Sequence, residues 1–236
     1  MKELLLAWFG QNARDLPWRR RRDPYAVLVS EVMLQQTQVA RVVPRFEDWM
    51  ARWPTVEALA AAGRAEVIRA WQGLGYNRRA VSLHRAAQVV AERGWPADLT
   101  ELPGVGAYTA AAVRRFAWNE PVLPEDTNVL RVIERTGCEF GPASAEALMD
   151  LGREVCLARV PRCEVCPLAE SCPSRGRRDE ALRKQSRFEG SFRQRRAATL
   201  RLVAAGETEA LDAEAVASLA RDGLVDSDGG LVRLPH

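Results

Sequence analysis

The chain has 236 residues, of which 47% are hydrophobic and 28% charged, with a formal net charge of +3. That length suffices for one large or two small domains with a proper core. No apolar run approaches the ~18 residues of a membrane helix, which excludes a spanning protein, and the near-neutral balance excludes a polycation.

Helical periodicity dominates the chain. The opening stretch MKELLLAWFGQNARD carries an apolar run too short and too soon broken for a secretory signal, so a reducing cytoplasmic setting is expected. Residues 25–36 (YAVLVSEVMLQQ) have the mixed apolar spacing of a largely buried helix. Thr37 is placed to cap a second helix running to about Met50, and Thr55 to cap the short helix VEALAAAG. Residues 65–72 and 77–93 follow as helices, the latter clearly amphipathic. Two Gly-x-Gly turns punctuate the middle, Gly73-Leu74-Gly75 and Gly104-Val105-Gly106. Asp126 stands as N-cap of TNVLRVIERTG, and residues 143–156 form the next helix. Strand signals are nearly absent until LVDSDGGLVRLP, which reads as a hairpin around Asp228-Gly229-Gly230.

The second glycine turn is followed by a new helix start, AYTAAAVRRFAW. Bare amides at a helix N-terminus bind a phosphate through hydrogen bonds and the helix dipole. Gly104 and Gly106 would let a nucleic-acid backbone come close, since neither carries a Cβ. An ordinary helix–turn–helix connection has the same pattern. Arginines are clumped at 19–22, 78–79, 114–115, 175–178 and 193–196. Such clumps suit phosphate oxygens, although any one of them could be a solvated helix face.

Cys156, Cys163, Cys166 and Cys172 follow with the spacing C-x6-C-x2-C-x5-C. Four thiolates so close in sequence can close around one metal centre. Zinc also takes four thiolates, but its sites usually show two Cys-x-x-Cys pairs, and here only Cys163 and Cys166 form one. The uneven spacing fits a cubane iron–sulfur cluster, and the expected reducing compartment argues against disulfides. Cys138 lies outside the group and reads as a small buried hydrophobe.

At this point the motifs carry a resemblance. RDLPWR at 14–19, DPYAVLVSEVMLQQTQV at 23–39, WQGLGYNRRAVSLHRAA at 71–87, LPGVGAYTAAAV at 102–113, DTNVLRV at 126–132 and the four cysteines resemble the helix-hairpin-helix DNA glycosylases with an iron–sulfur cluster, the endonuclease III superfamily. Within it the chain is most similar to the MutY-type adenine glycosylases, over about residues 4–175. The resemblance implies an all-α, two-lobed fold with a 4Fe-4S cluster loop and DNA bound between the lobes. The six-helix lobe is expected at about 20–125 and the cluster lobe from 1–19 and 126–175. Residues 176–236 would form a small winged-helix-like tail that touches DNA through Arg193, Arg195 and Arg196 or packs on the cluster lobe. The expected partner is double-stranded DNA with a mismatch or lesion, bound by a monomer near the nucleoid, with no membrane involved.

The resemblance also implies roles. Glu31 matches the general acid that protonates the departing base, in an apolar helix that would raise its pKa by desolvation. Asp126 matches the carboxylate that stabilises or attacks the oxocarbenium ion, a pairing general to glycosidic hydrolysis. Tyr108 and Asn128 match orienting residues. Read without the resemblance, Asp126 is a helix cap and Glu31 a buried polar residue. Arg14, Leu16, Trp18, Arg19 and Glu146 match the adenine pocket, which receives the base once it is flipped out of the stack. Gln36 and Thr37 match residues that wedge into the duplex, Leu74 and Tyr76 those that fill the gap near the opposite base, and Gly104, Val105 and Gly106 the phosphate-binding hairpin. Lyase-type relatives use a lysine where this chain has Tyr108. Lys2 and Lys184 fall outside every catalytic motif, so a monofunctional glycosylase is expected.

Three departures stand out. Pro124 and Glu125 stand as an insertion before Asp126, Asn77 replaces a frequent second tyrosine, and the roughly sixty residues given after the cluster are expected to be too few for the usual 8-oxoguanine-recognition domain. Removal of thymine or uracil opposite guanine, and a non-catalytic DNA sensor, are the alternatives. Glu146 and RDLPWR favour adenine over the former, and the presence of both Glu31 and Asp126 speaks against the latter.

Overall fold

The computed structural model describes residues 1–180, 187–228 and 231–235. Among them the helices, in chain order, are α1 (Lys2–Asn12), α2 (Pro17–Arg20), α3 (Pro24–Leu34), α4 (Val39–Arg52), α5 (Val56–Ala60), α6 (Arg64–Ala70), α7 (Arg78–Arg93), α8 (Ala107–Trp118), α9 (Thr127–Thr136), α10 (Ala145–Glu154), α11 (Phe192–Ala205) and α12 (Ala213–Arg221). A two-stranded antiparallel hairpin, β1 (Asp226–Asp228) and β2 (Leu231–Arg233), follows, with Ser227 opposite Val232. Its turn residues Gly229 and Gly230 lie outside the described residues, as does Lys184. The all-α class is therefore borne out. No described helix is long and apolar enough to cross a membrane.

Local chemistry explains several of the helix starts. Thr55 Oγ1 accepts from the Ala58 N–H at 3.2 Å, and Asp126 accepts from the N–H groups of Asn128 and Val129, so both predicted caps form. Thr37 does not cap α4: Gln38 occupies that position and its side chain makes no capping bond. The Thr37 hydroxyl instead lies against the carbonyls of Leu74 (3.3 Å) and Gln35 (3.4 Å) and accepts from Arg79, because this residue is buried. A long-range set of partners has replaced the local one.

The chain divides into two compact units. One comprises Met1–Val27 and Ala107–Lys184. Its core joins Leu5 of α1, Val129 and Val132 of α9, Leu148 and Leu151 of α10, and Leu168. Cys138 is half-buried at the margin of that core rather than fully inside it. The other unit comprises Leu28–Gly106 and Gln185–His236. There α5 packs on α7, and Trp49 meets Trp53 and Trp71 edge-on at 4.6 and 5.5 Å. Leu200, Val203, Val216, Leu219, Leu224 and Val232 of the tail share a core with Ile68 and Val81. Two of the tail arginines pair within their own segment, Arg195 with Asp212 and Glu214 and Arg196 with Asp222.

Candidate functional site

In the first unit, Asp126 sits at the N-terminus of α9 and is half-buried. Its Oδ1 accepts from the backbone N–H of Asn128 (2.8 Å) and Val129 (2.7 Å), and its Oδ2 accepts from Asn128 Nδ2 at 2.8 Å. The carboxylate is thus a helix cap and, by the same bonds, a group of fixed orientation. Asn128 Oδ1 in turn accepts from Arg131 Nη2 at 2.8 Å, and Arg131 Nε donates to the Cys156 carbonyl at 2.8 Å. Gly152 makes this arrangement fit, since a Cβ there would lie 2.8 Å from the Asn128 carbonyl oxygen and 2.9 Å from its Cβ. Tyr108 occupies the second position of α8 and is half-buried; Glu125 is exposed.

The same unit gathers Arg14, Arg19 and Glu146 around a residue that sequence reasoning missed. Asp150 is fully buried on α10. Arg14 Nε reaches its Oδ1 at 2.7 Å, and Arg19 grips both oxygens at 2.8 and 2.9 Å. Arg19 also lies 3.4 Å from Glu146 and over the ring of Phe9 at 5.5 Å. Burial pulls the Asp150 carboxyl toward neutrality, but the guanidiniums of Arg19 and Arg14 outweigh it and hold the group below the usual carboxylate range. Leu16 and Trp18 are buried beside this stretch of chain at the start of α2. The available signal was Asp150 itself, a carboxylate four residues after Glu146 among the apolar positions of α10.

In the second unit, Glu31 lies on α3 and is buried, 8% exposed, in the run Leu28–Met33 whose other members are 3% exposed or less. Just beyond it come the two loops expected to meet DNA. Gln36 and Tyr76 are exposed and adopt φ of 55° and 46°, the left-handed region that few non-glycine residues enter. Thr37 and Leu74 are buried beneath them. Both loops converge on Arg79, a second residue the sequence did not single out. Beside Arg78 along the chain it reads as part of a phosphate-type clump or a solvated face; in the structure it is 9% exposed and its guanidinium is enclosed by backbone oxygens. Burial brings its pKa down to about 10, with Tyr76 opposing the fall, so it remains a cation at neutral pH.

The glycine turn of the expected hairpin answers first to packing. Gly104 has a φ of 81°, and a Cβ there would lie 2.7 Å from Ser82 Cβ of α7. Gly106 faces open space and is exposed, Val105 is buried, and α8 begins at Ala107.

Cys156, Cys163, Cys166 and Cys172 line a single cavity with Arg135, Leu168 and Arg175. All four thiols are free and half-buried. Arg135 Nη1 donates to Cys156 Sγ at 3.4 Å, and the Gly176 N–H donates to Cys163 Sγ at 3.3 Å. Burial pushes the Cys166 thiol up, the Leu168 amide opposes this, and the three neighbouring sulfurs add to the rise. Four cysteine sulfurs lining one cavity are a donor set that an iron–sulfur cluster takes, and that zinc takes as well.

These features belong together in one class of protein. The chain belongs to the HhH-GPD superfamily of base excision DNA repair proteins, whose pattern matches residues 29–156. Among curated relatives, the adenine DNA glycosylase of Mycolicibacterium smegmatis is 47% identical over 194 residues, covering 70% of this chain and 66% of that protein. The human adenine DNA glycosylase is 39% identical over 212 residues, covering 73% of this chain and 39% of that one. The chain thus spans no more than about two thirds of the length of these relatives. Among solved structures, a thermostable thymine-DNA glycosylase superposes with a TM-score of 0.66 at 27% identity, over 73% of this chain and 93% of that one. An endonuclease III–DNA covalent intermediate gives 0.62 at 23% identity, covering 73% and 92%, and so shares the fold.

Proposed function

We propose that this protein is a monofunctional adenine DNA glycosylase, acting on adenine mispaired with 8-oxoguanine or guanine in duplex DNA. The observation that carries the reading is the 47% identity to an adenine DNA glycosylase, in a chain that assembles Arg14, Arg19 and Glu146 into one ionic group. In this reading the adenine is flipped out of the stack. Glu31, from its apolar helix, donates a proton to N7 as the C1′–N9 bond breaks and the electron pair leaves with the base. Asp126 faces the oxocarbenium ion, held by Asn128 and the α9 amides, and water completes the hydrolysis at C1′. Tyr108, in the place of a lyase lysine, leaves no amine to form a Schiff base. Gly104, Val105 and Gly106 would take a phosphate at the start of α8.

Cys156, Cys163, Cys166 and Cys172 would hold a 4Fe-4S cluster. When bound it would tie the chain from α10 to Cys172 into a rigid, DNA-facing loop, since hydrolysis of this bond requires no net electron transfer. Arg135 and the Gly176 amide would supply hydrogen bonds to the ligating sulfurs.

The test is single-turnover base release from duplexes carrying adenine opposite 8-oxoguanine, adenine opposite guanine, thymine opposite guanine and uracil opposite guanine, with and without alkali. Adenine release that requires alkali for strand scission, and that is lost in Glu31→Gln while DNA binding persists, is the expected result. Release of thymine or uracil with adenine untouched would overturn the base assignment. A borohydride-trapped protein–DNA adduct would overturn the monofunctional one.

A further inference from the structure

Arg79 is unusual in its partners. Nη1 donates to the carbonyl oxygens of Val32 (2.7 Å), Met33 (2.9 Å) and Gln35 (2.6 Å). Nη2 donates to Thr37 Oγ1 (3.0 Å) and to the carbonyls of Leu74 (3.2 Å) and Gly75 (2.9 Å), and Nε to that of Tyr76 (3.3 Å). The guanidinium plane packs against Trp71 at 5.2 Å and Tyr76 at 5.7 Å. No carboxylate is among these partners. A buried cation held only by neutral oxygens is costly, so an arginine enclosed in this way is not explained by stability alone. What the bonds accomplish is geometric: one planar fork clamps the end of α3 and the Gln35–Thr37 loop to the Leu74–Tyr76 loop. Each loop carries one exposed non-glycine residue at positive φ, Gln36 and Tyr76. Such backbone states persist only where the surroundings over-determine them.

We propose that Arg79 is a positioning residue for duplex opening, locking the two loops into one rigid wedge that presents Gln36 and Tyr76 together to the DNA bases. The proposal rests on the glycosylase reading for the identity of the ligand, duplex DNA. Opening a base stack demands a part that does not yield when pushed. Two separate loops in left-handed conformations would relax instead. The clamp also ends on carbonyls one and two residues after Glu31, so loops and acid are set by the same guanidinium. Lysine cannot replace it, since three donors on one nitrogen cannot span two loops.

The test uses the full chain, a duplex with 2-aminopurine beside the target adenine opposite 8-oxoguanine, and the variants Arg79→Lys, Gln36→Ala and their combination. Fluorescence reports unstacking, single-turnover kinetics report release, and thermal melting reports the fold. Arg79→Lys is expected to melt cooperatively and to bind undamaged duplex as before. It should lose the fluorescence rise and release adenine roughly tenfold or more slowly, since displaced positioning groups are costly at this scale. The decisive readout is the double variant. If Arg79 acts through Gln36, adding Gln36→Ala to Arg79→Lys slows release little further. Independent, multiplicative losses, or an Arg79→Lys protein that unstacks and releases like wild type, would overturn the proposal. Should Arg79→Lys not fold, Thr37→Val removes only the hydroxyl that bridges Arg79 and Leu74, and the same cycle with Gln36→Ala decides. A wild-type protein that releases no base from any duplex would sink the glycosylase reading. Its unstacking signal, present in wild type and lost in the variants, would still support the clamp.

Discussion

Asp150 offers the sharpest energetic test. Its side chain is wholly buried and serves two arginines whose side chains keep 23% and 16% exposure. Removing one partner of a buried ionic group costs about 3–5 kcal/mol, because the remaining charge stays desolvated. Here the partly exposed arginines recover some hydration, so Asp150→Asn is expected at the low end, about 3 kcal/mol. For a chain of this length that lowers Tm by roughly 6–12 °C. Thermal and urea unfolding followed by far-UV circular dichroism measures it. The matched control is Asp15→Asn, whose pair with Arg20 is 71% and 67% exposed and should not register. The pH dependence has a definite sign. A carboxyl held below its usual range adds stability above about pH 4, and that stability is lost as the pH falls through the lowered value. The gap between wild type and Asp150→Asn should therefore close in acid. A Tm change under about 2 °C at neutral pH, less than 1 kcal/mol, would refute the reasoning.

Gly152→Ala should cost about 1–3 kcal/mol, because its Cβ would press on Asn128, and should slow base release by loosening the Asn128–Asp126 bond; a melt equal to wild type would count against the crowding. Purified protein should carry iron and inorganic sulfide in equal amounts. Oxidative removal, or Cys166→Ser, should abolish the visible absorbance and lower Tm, whereas zinc in place of iron would reject the cluster. His84 is buried, and burial, reinforced by Arg64 and opposed by the Ala62 and Ala60 carbonyls, lowers its pKa. Stability is then present above about pH 6.5 and declines as the pH falls below it, a slope that His84→Gln should flatten in pH-dependent urea melts.

Much of the molecule was legible along the chain wherever one segment suffices to specify the outcome. Helix periodicity placed α3, α7 and α9 within a few residues, and Thr55 and Asp126 cap as read, because a cap involves partners two or three residues away. The cysteine spacing marked a cavity whose four sulfurs come from one short stretch of chain, closed against α9 and α10. The motifs of residues 14–132 pointed to the repair superfamily to which the chain belongs. Thr37 was misread because its winning partners, Arg79 and Leu74, lie about forty residues away.

Only the tertiary structure decided what the charges do. Arg79 reads as one more basic residue until its helix closes on carbonyls at the end of α3, more than forty residues earlier, and joins them to the loop just before it. Asp150 reads as an ordinary helix carboxylate until Arg14 and Arg19, more than 130 residues earlier, fold over it. Gly104 and Gly152 are required by Ser82 and Asn128, neighbours that exist only after packing. The physical reason is common to all four. Backbone propensity is set by adjacent atoms and survives in the isolated segment. Burial, which turns a surface ion into a clamp or a methyl into a clash, comes into being only when distant segments exclude water together.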